Sequence, residues 1–549
     1  MKITIAQLNP KVGDIDANLA LIRKARTMAA MGGADLVVYS ELVVSGYPPE
    51  DLVKKISFHS SCKKAVMDLA ADTKDGGPAM LISAPWPENG KLYNAALLLD
   101  GGKLTAVIAK CKLPNYGVFD EVRLFDAGPC PTAIQFRGHK LGIMTCEDMW
   151  DSAATKSLVD SGAELLVVLN ASPFEIDKPN DRIKLATQRA KESGLALVYV
   201  NQVGGQDELV FDGASFVMDA KGKLKSRLPS FVSSIETVSF LSDGGLKPFE
   251  ATINIDMGKD EAIYSALVMG LRDYVNKNFF PGVMIGLSGG VDSALSAAIA
   301  VDALGGERVH CVMMPSPYTS KESLEDASES ARLLGVKLDN ISIEPAMSAF
   351  DEMTKEQFVG HPKDTTEENI QARSRGVLLM AISNKFGHMV LSTGNKSEMS
   401  VGYATLYGDM CGGYSVLKDV YKTRVWDLCR WRNSHHSDLF EGPKGLVMPE
   451  RVITKAPSAE LKPNQTDQDS LPSYEELDDI LHGLIELELP SSEIVKNGHS
   501  AQTVAKVWQM LDNAEYKRRQ APPGVKISSR AFGRDRRYPI TNGFRTDKS

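Results

Sequence analysis

A glycine- and serine-rich stretch, GLSGGVDSA at residues 286–294, constrains the fold of this chain more than any other feature of its sequence. It stands between an apolar run ending at Ile285, which predicts a strand, and a helical pattern from Ser293 onward. The backbone N–H groups and the positive dipole end of such a strand-to-helix turn make an anion site. Glycines there allow the backbone to come close to a phosphate. The stretch therefore predicts a phosphate-binding unit of an α/β fold.

The turn differs from a Walker loop, which reads GxxxxGK[ST] and uses its lysine to reach the terminal phosphates. It lacks that lysine and carries Asp292 instead. A carboxylate beside phosphates is favourable when a divalent cation bridges them, so the turn predicts a nucleotide-bound metal. A Gly-Gly turn by itself would be interpreted as a serine-capped helix start, and only the complete string SGGVDS carries the prediction.

The strand and helix patterns differ between the two halves of the chain. In the first half, short apolar runs and hairpin signals such as DGG at residues 100–102 predict sheets covered by helices. From residue 261 onward, apolar runs such as GVMIGLS and HMVLSTGN alternate with helical stretches, which predicts a doubly wound parallel sheet. We predict domains at residues 1–245 and 261–549, joined by a linker at 246–260.

Composition narrows the class of protein. The net charge of -8 over 549 residues argues against a dominant nucleic-acid or membrane surface. No apolar run approaches the roughly 18 residues of a membrane helix, and the N-terminus lacks a secretory signal. The seven cysteines show no CxxC or other metal-ligand spacing, which is typical of a reducing compartment. We therefore predict a cytoplasmic protein.

Three reactive side chains follow predicted strands in the first half: Glu41, Lys110 and Cys146. Strand ends at one edge of a sheet converge, so we expect these groups to meet. A carboxylate can take the proton of a thiol, and an ammonium can lower the thiol pKa or stabilise an oxyanion. Each residue alone would be interpreted as a core cysteine or a solvated rim charge. The three together predict a nucleophilic thiol site.

Longer motifs around these residues resemble two known families. YSELVVSGYPPEDL, KCKLPNYGVFDE and GIMTCEDMWD resemble the nitrilase superfamily. That resemblance implies that Glu41 is the general base, Lys110 the lysine of the catalytic triad and Cys146 its nucleophile. It also implies that Glu121 is a second, supporting glutamate. SGGVDS resembles the loop of the PP-loop ATP pyrophosphatases, which implies that it holds the departing pyrophosphate.

Both resemblances on one chain point to one family. A nitrilase-like amidase joined to a PP-loop ATPase resembles the glutamine-dependent NAD synthetases. The resemblance implies a nitrilase-like α-β-β-α sandwich followed by a doubly wound PP-loop domain of the adenine nucleotide alpha hydrolase-like kind. It also implies an ATP-dependent carbon–nitrogen ligase, in which ammonia cut from glutamine amidates AMP-activated deamido-NAD.

The same resemblance assigns binding residues at positions that match family motifs. For glutamine they are Tyr116, Ser172 and Lys178. For ATP they are Gly286, Leu287, Ser288, Gly289, Gly290, Val291, Asp292, Ser293 and Thr393. For deamido-NAD they are Asn369, Arg373, Glu398 and Lys517, with support from Asp409, Lys418 and Ser458. Mg²⁺, which would offset the charge of two anionic reactants, is assigned to Asp292 and Glu398.

Partners follow from the same resemblance. Nitrilase folds pair through the helices that flank their sheets, which implies a homo-oligomer, at least a dimer. The substrates implied are glutamine, ATP and deamido-NAD, with no nucleic acid and no membrane.

Three alternatives stay open. The basic segment at residues 517–545 is compatible with a PP-loop enzyme that modifies tRNA. Another glutamine amidotransferase with the same loop is the second alternative, and a nitrilase half that serves only as a scaffold is the third. The acidic net charge disfavours the first, the type of glutaminase disfavours the second, and the intact Glu41, Lys110 and Cys146 disfavour the third.

Overall fold

The computed structural model describes residues 1–241, 244–248, 257–463 and 465–544. It divides the chain into two units, residues 1–257 and 258–549. Residues 249–256, which make up most of the predicted linker 246–260, lie outside the described residues, as do 545–549 at the end of the predicted second domain. Within the described ranges, no helix is both long and apolar enough to cross a bilayer.

The first unit is built mainly from strands. These are β1 (Lys2–Gln7), β2 (Leu36–Val38), β3 (Ala79–Glu88), β4 (Lys91–Asp100), β5 (Lys103–Ala109), β6 (Ile134–Phe136), β7 (His139–Thr145), β8 (Leu165–Asn170), β9 (Ala196–Asn201), β10 (Val203–Gln206), β11 (Leu209–Asp212), β12 (Phe216–Met218), β13 (Leu224–Arg227), β14 (Ser234–Phe240) and β15 (Leu246–Pro248). Its α-helices are α1 (Ile15–Met31), α2 (Ile56–Asp72), α3 (Ser152–Asp160) and α4 (Lys178–Ser193).

These strands form two large sheets and a small hairpin. The larger sheet has the order β15-β14-β1-β2-β3-β4-β5, the smaller one has the order β13-β12-β9-β8-β7-β6, and β10 pairs with β11. The pairs at the centre of both sheets, β1–β2–β3 and β7–β8–β9, are parallel. The hairpin predicted around the DGG turn is present as the antiparallel pair β4–β5.

The two sheets pack face to face, with helices on their outer faces. Alternate residues of one strand point to opposite faces, so Val38 lies in the core between the sheets while Val37 packs towards the helices. Val167 of the smaller sheet lies in the same inter-sheet core as Val38. Helices α1 and α2 cover the larger sheet, and α3 and α4 cover the smaller one. This arrangement confirms the predicted α-β-β-α sandwich.

The second unit alternates strands and helices and ends in helices alone. Its strands are β16 (Val283–Gly286), β17 (Val309–Met313), β18 (Lys337–Asn340), β19 (Met389–Ser392) and β20 (Tyr414–Ser415). Its helices are α5 (Lys259–Lys277), α6 (Val291–Leu304), α7 (Lys321–Leu334), α8 (Glu344–Thr354), α9 (Thr365–Phe386), α10 (Lys396–Val401), α11 (Lys422–Ser434), α12 (Glu450–Thr454), α13 (Tyr474–Ile485), α14 (Ser491–Lys496), α15 (Ala501–Asn513) and α16 (Glu515–Arg518).

The five strands form one parallel sheet in the order β18-β17-β16-β19-β20. The chain enters the sheet at its central strand β16, builds outward through β17 and β18, and returns to β19 on the other side. The loops after β16 and β19 therefore leave neighbouring strands in opposite directions, which opens a crevice at the carboxyl edge of the sheet. This topology confirms the predicted doubly wound parallel sheet.

The basic C-terminal segment is partly internal. Arg518 and Arg536 are buried, and both contact Glu515, at 2.8 Å and 3.1 Å. Lys526 is also buried and lies 3.2 Å from Asp535. These cations are paired within the fold, which weakens the interpretation of the segment as a nucleic-acid surface.

Candidate active sites

The three predicted groups of the first unit stand at strand ends, but on two sheets rather than at the edge of one. Glu41 lies shortly after β2 and Lys110 directly after β5, both in the larger sheet. Cys146 directly follows β7 of the smaller sheet. The sandwich brings these edges together, since the Glu41 N–H donates to the carbonyl of Asn170 at the end of β8, 3.2 Å away. The convergence predicted for one sheet edge therefore occurs across the sandwich.

Lys110 is the centre of a buried network of charges. Its Nζ donates to Glu41 Oε1 at 2.8 Å and to Glu121 Oε2 at 2.8 Å. The three side chains are at most 4% exposed. Asn94 Nδ2 donates to Glu41 Oε1 at 2.7 Å, and the Tyr47 hydroxyl donates to Glu121 Oε1 at 2.9 Å. Every carboxylate here has a charged partner and a neutral donor, as a buried charge requires.

Burial and charge together set the protonation of this network. Burial lowers the pKa of Lys110, but Glu121 and Glu41 outweigh it and hold that pKa well above its usual value. Burial also raises the pKa of the Cys146 thiol far above its ordinary value, Glu41 adds to the rise, and Lys110 only partly opposes it. The resting thiol is therefore neutral. Lys110 does not produce a net lowering of the thiol pKa, so nucleophilic attack needs a base such as Glu41 to remove the proton.

The backbone at Cys146 is unusual. Its φ is +44°, in the left-handed region that non-glycine residues seldom occupy, and the chain passes there from β7 into a short 3₁₀ turn. Strained backbone at a reactive side chain is characteristic of functional sites, because the turn presents the side chain at the strand end. The side chain of Cys146 remains largely buried, with 6% of the residue exposed.

The residues predicted to bind glutamine lie on segments near Cys146 in the chain or the fold. The Tyr116 hydroxyl donates to Oε2 of Glu147, the residue after Cys146, at 3.0 Å. Lys178, the first residue of α4, places its Nζ 5.2 Å from the ring centre of Trp150. Ser172, just after β8, is buried and accepts a hydrogen bond from Arg182 Nε at 3.1 Å. The acidic Glu147 and the basic Lys178 suit an amino-acid substrate, which carries both a positive and a negative charge.

Sequence reasoning missed several residues that support this site. Arg182 is 3% exposed, forms an ion pair with Asp212 at 2.7 Å, and donates to the carbonyls of Ser172 and Pro173. Asn94 and Tyr47 hold the two glutamates. The i, i+4 spacing of Lys178 and Arg182 on one helix face was a usable signal. No local signal existed for Asn94, which lies in the middle of β4.

The second site lies at the crevice of the parallel sheet. Gly289 has φ +83°, and a Cβ there would come within 2.3 Å of the Ser323 carbonyl oxygen, so glycine is required. Ser293 Oγ accepts from the Ser288 N–H at 3.2 Å and thereby shapes the turn into α6. The cleft is lined by the predicted residues Ser288 to Ser293 and Thr393, with Glu398, Asp409 and Ser458. A helix N-terminus and a neighbouring loop thus face one anion-sized space.

Three carboxylates in this cleft surround one lysine. Lys422 is 2% exposed, and its Nζ contacts the carboxylate of Asp292 and lies 3.3 Å from Glu398 Oε1. Asp467, 3% exposed, lines the same cleft and acts on Lys422 electrostatically. Asn395 Nδ2 donates to Asp292 Oδ1 at 2.9 Å. Burial raises the pKa of Glu398 to about 8. Lys422 opposes this rise, whereas Asp292 and Asp467 add to it.

This charge balance fits a cation that arrives with the substrate. While Glu398 holds its proton, Asp292 and Asp467 against Lys422 leave one formal negative charge uncompensated, and a bound cation would favour loss of the Glu398 proton as well. Asp467 Oδ1 has no hydrogen-bond partner within the described part of the chain. The described residues contain no group of three or more His, Cys, Asp or Glu placed to hold a metal by themselves. Mg²⁺ is usually held by one or two carboxylates together with phosphates, so Asp292 and Glu398 suit it as protein ligands.

A more apolar compartment adjoins the phosphate end of the cleft. It shares Ser288, Thr393, Asp409 and Glu460 with that end, and its apolar walls come from Val312, Met314, Leu379 and Leu391. Gly286 and Leu287 line it as well. The two compartments together therefore suit a ligand that has a flat ring next to a phosphate group.

Three of the four residues predicted to bind the acceptor contact one loop, residues 402–406, and the fourth, Glu398, lines the cleft itself. Lys517 Nζ donates to the carbonyls of Gly402 and Ala404 at 2.8 Å and 2.7 Å. Asn369 Oδ1 accepts from Thr405 Oγ1 at 2.9 Å, and Arg373 Nε donates to the Leu406 carbonyl at 3.3 Å. Ala404 lines the cleft, so this loop joins it to all three predicted residues.

The supporting residues have different positions. Burial raises the pKa of Asp409 to about 6, and its Oδ1 accepts from the Thr405 N–H at 2.7 Å. Ser458 Oγ donates to the Gln465 carbonyl at 2.5 Å within the loop that borders the cleft. Lys418 is buried, and among the described residues the cleft lining includes Lys422 and not Lys418.

Sequence reasoning missed four lysine and carboxylate residues of this cleft: Lys422, Lys455, Glu460 and Asp467. Lys455 Nζ lies 3.1 Å from Glu460 Oε1, and Glu460 in turn accepts from Ser320 Oγ at 2.8 Å. Lys422 stands only four residues after the predicted Lys418, so the sequence prediction fell close to the residue that lines the cleft. The choice between the two lysines depends on a contact with Asp292, 130 positions earlier.

Comparison with known proteins shows which family each unit matches. Residues 2–239 match the family model of carbon-nitrogen hydrolases, and residues 263–521 match that of NAD synthase. The chain is 46% identical over 548 residues to the glutamine-dependent NAD(+) synthetase of Acinetobacter baylyi, covering 100% of this chain and 99% of that protein. It is 46% identical over 546 residues to the protein of the same name from Rhodobacter capsulatus, covering 99% of each.

Two solved structures are similar along the whole chain. One is a glutamine-dependent NAD+ synthetase from Acinetobacter baumannii in complex with ADP, 44% identical, with a TM-score of 0.79 and coverage of 100% and 99%. The other, from Cytophaga hutchinsonii, is 21% identical with a TM-score of 0.83, covers 99% of this chain and 98% of that one, and shows the shared fold.

Proposed function

This chain belongs to the glutamine-dependent NAD(+) synthetases, and we propose from that membership how its two sites divide the reaction. Such an enzyme is an ATP-dependent ligase with glutamine as amide donor. We assign amide hydrolysis to the first unit and acceptor activation to the second. The observation that carries the first assignment is the buried Lys110 bridging Glu41 and Glu121 beside the neutral thiol of Cys146.

In the first site, Cys146 Sγ attacks the side-chain amide carbon of glutamine while Glu41 accepts the thiol proton. The Lys110 ammonium stabilises the oxyanion, since its high pKa keeps it charged. Glu41 returns the proton to the departing nitrogen, the C–N bond breaks, and ammonia leaves a thioester. Water, deprotonated by Glu41, then releases glutamate. Tyr116, Ser172 and Lys178 orient the amino-acid end.

In the second site, the nicotinate carboxylate of deamido-NAD attacks the α-phosphorus of ATP and pyrophosphate departs. Ammonia then attacks the acyl carbon of the adenylate, and AMP leaves with the electrons of the broken C–O bond. The turn from Ser288 to Ser293 holds the pyrophosphate, and the compartment beside Thr393 holds the adenine. Asn369, Arg373 and Lys517 hold the acceptor through the loop that they contact.

Mg²⁺ is part of this proposal, with Asp292 and Glu398 as its protein ligands. When bound, it supplies charge neutralisation between two anionic reactants. Lys422 keeps the two carboxylates together, and Asp409 and Ser458 border the same cleft. Lys418 is buried, and we propose a supporting structural part for it.

An isotope experiment tests the reaction sequence. With both carboxylate oxygens of deamido-NAD labelled with ¹⁸O, adenylation followed by displacement leaves one label in AMP and one in the NAD amide. With ¹⁵N in the glutamine amide, the new NAD amide carries ¹⁵N even against unlabelled ammonium. Mass spectrometry of AMP and NAD reads both. Label in inorganic phosphate, together with ADP as product, would contradict the assignment of pyrophosphate to the Ser288 turn.

The Lys422→Met variant tests the charge balance around the proposed metal. We expect the free energy of unfolding to fall by about 3–5 kcal/mol, because buried carboxylates lose their cation. We further expect Mg²⁺ with ATP to restore more of the lost thermal stability in this variant than it adds to the unsubstituted protein. The melting temperature with and without both ligands measures this. The absence of any Mg²⁺-dependent difference would count against Asp292 and Glu398 as ligands.

We propose that the protein works in the cytoplasm as at least a dimer. All seven of its cysteines are free thiols, which suits a reducing compartment. Met28 and Met31 of α1 are 44% and 78% exposed, and such apolar side chains on a sheet-flanking helix support pairing of the kind that nitrilase folds use. Sedimentation analysis at micromolar concentration tests the oligomer, and a monomer would contradict it.

A further inference from the structure

Asp148 is a buried carboxylate that has no part in the chemistry described above. It is 1% exposed. Its Oδ1 accepts from the N–H groups of Cys111 and Lys112 at 3.0 Å and 2.8 Å, and its Oδ2 accepts from the Thr145 N–H at 3.0 Å. One side chain therefore binds three backbone donors on two separate segments. None of its oxygens faces an ammonium or guanidinium group in these contacts.

The two segments are those that carry reacting groups. Cys111 and Lys112 directly follow Lys110, after the end of β5 in the larger sheet. Thr145 ends β7 of the smaller sheet and immediately precedes Cys146. The β5 and β7 strands belong to different sheets, so no sheet ladder joins their ends. Hydrogen bonds from amides to a carboxylate are charge-assisted and short, which makes Asp148 a strong link between the sheets at this point.

We propose that Asp148 is a positioning residue for amide hydrolysis, which fixes the distance between the Lys110 ammonium and the Cys146 sulfur by holding both segments on one carboxylate. The proposal rests on the proposed roles of Lys110 and Cys146. It also gives a reason for the backbone at Cys146, because the Thr145–Asp148 bond closes the turn in which φ of Cys146 is +44°. A left-handed residue persists only where its surroundings hold it.

A second contact between the same segments provides a matched control. Lys112 Nζ lies 2.6 Å from Asp151 Oδ2, but these side chains are 47% and 29% exposed. Exposed ion pairs of this kind contribute little to structure, because water screens the charges and the side chains lose entropy. Asp148 and Asp151 are thus two aspartates, three residues apart, that join the same pair of segments. Asp148 is buried, whereas Asp151 is partly exposed.

The test compares Asp148→Asn with Asp151→Asn. An amide side chain has one acceptor oxygen, and its NH₂ would meet an N–H donor, so the Asp148→Asn variant loses at least one of the three bonds. We expect kcat for glutamine hydrolysis to fall about 100-fold. KM for glutamine should stay within about twofold, since Tyr116, Ser172 and Lys178 are untouched, and ammonia-driven NAD formation should be unchanged. Asp151→Asn should leave all three quantities within about twofold.

Several results would overturn the proposal. These are an unchanged kcat in Asp148→Asn, an equal loss in Asp151→Asn, or a parallel loss of ammonia-driven activity. A rise in KM without a fall in kcat would instead assign Asp148 to substrate binding and would also overturn it. A Cys146→Ala variant that retains glutamine hydrolysis would reject the proposed function itself, so the two failures are distinguishable.

Hydrogen exchange in the unsubstituted protein keeps the proposal testable if Asp148→Asn does not fold. Cys111 and Lys112 lie outside the strands, yet their amides are bonded to a buried carboxylate. We expect these amides and that of Thr145 to exchange at least about 100-fold more slowly than unprotected amides. Exchange of the Cys111 and Lys112 amides at unprotected rates would show that Asp148 does not hold them, and the proposal would fail.

Discussion

Replacing Cys146 with alanine is expected to abolish glutamine-driven NAD formation, by at least about 10⁴-fold, and to leave ammonia-driven formation within about twofold. The sulfur is the only protein atom proposed to bond to the amide carbon, so no neighbouring group replaces it. The second site keeps its complete set of contacts, because every partner of Asp292 and Glu398 named above lies in residues 258–549. Parallel assays with glutamine and with ammonium chloride measure the two activities.

Cys130→Ala is the matched control for this variant. Cys130 is an exposed free cysteine of the same unit. Its replacement therefore removes a thiol but leaves Cys146 in place. If Cys146→Ala removes both activities while the protein remains folded, the division into two independent sites is wrong. If it removes neither, Cys146 is not the nucleophile.

Asp292→Ala is expected to change the two activities in the opposite way to Cys146→Ala. We expect NAD formation to fall about 10³-fold or more with either nitrogen source. The change removes a carboxylate from the proposed metal site, and Lys422 keeps its contact with Glu398 and the electrostatic influence of Asp467. Glutamine hydrolysis should persist, since the first site loses no contact. Glutamate release and NAD formation, measured in the same reaction, separate the two effects.

Glu329→Gln serves as the control for Asp292→Ala. Glu329 is a carboxylate on α7 of the same unit, and it contacts Arg332 one turn away at 2.6 Å. Exposed pairs of this kind contribute little, so both activities should stay within about twofold. Loss of glutamine hydrolysis alone in Asp292→Ala would contradict the role of the Ser288 turn.

Local sequence patterns were sufficient to predict several strands and the residues that directly follow them. The strand before Gly286, the turn that contains Asp292, and the strand end before Cys146 all follow from short-range periodicity and turn chemistry. The same patterns distinguished the parallel sheet of the second unit from the hairpin-containing sheets of the first, because a parallel sheet and a β4–β5 hairpin have different signals in sequence. The family resemblance added the residue roles, which no periodicity contains.

Contacts between distant segments could not be predicted in this way. The choice of Lys422 over Lys418 depends on a carboxylate 130 residues away. The raised pKa of Cys146 depends on burial, whereas the sequence shows only a lysine and a glutamate that could act in opposite directions. The convergence of Glu41, Lys110 and Cys146 depends on how two sheets stack, and the sequence suggested a single sheet edge.

The stacking of those sheets has a consequence for how this enzyme can evolve. The proposed base Glu41 and Lys110 belong to one layer and the proposed nucleophile Cys146 to the other, so the side chains between the layers set the distance between these groups. A residue such as Val38 or Val167, which has no reactive group of its own, helps to set the separation between the two layers. An added methylene there would typically cost about 1–3 kcal/mol of stability, which a robust domain survives. Turnover tolerates far less displacement, so selection on rate constrains the volume of this core more tightly than selection on folding does.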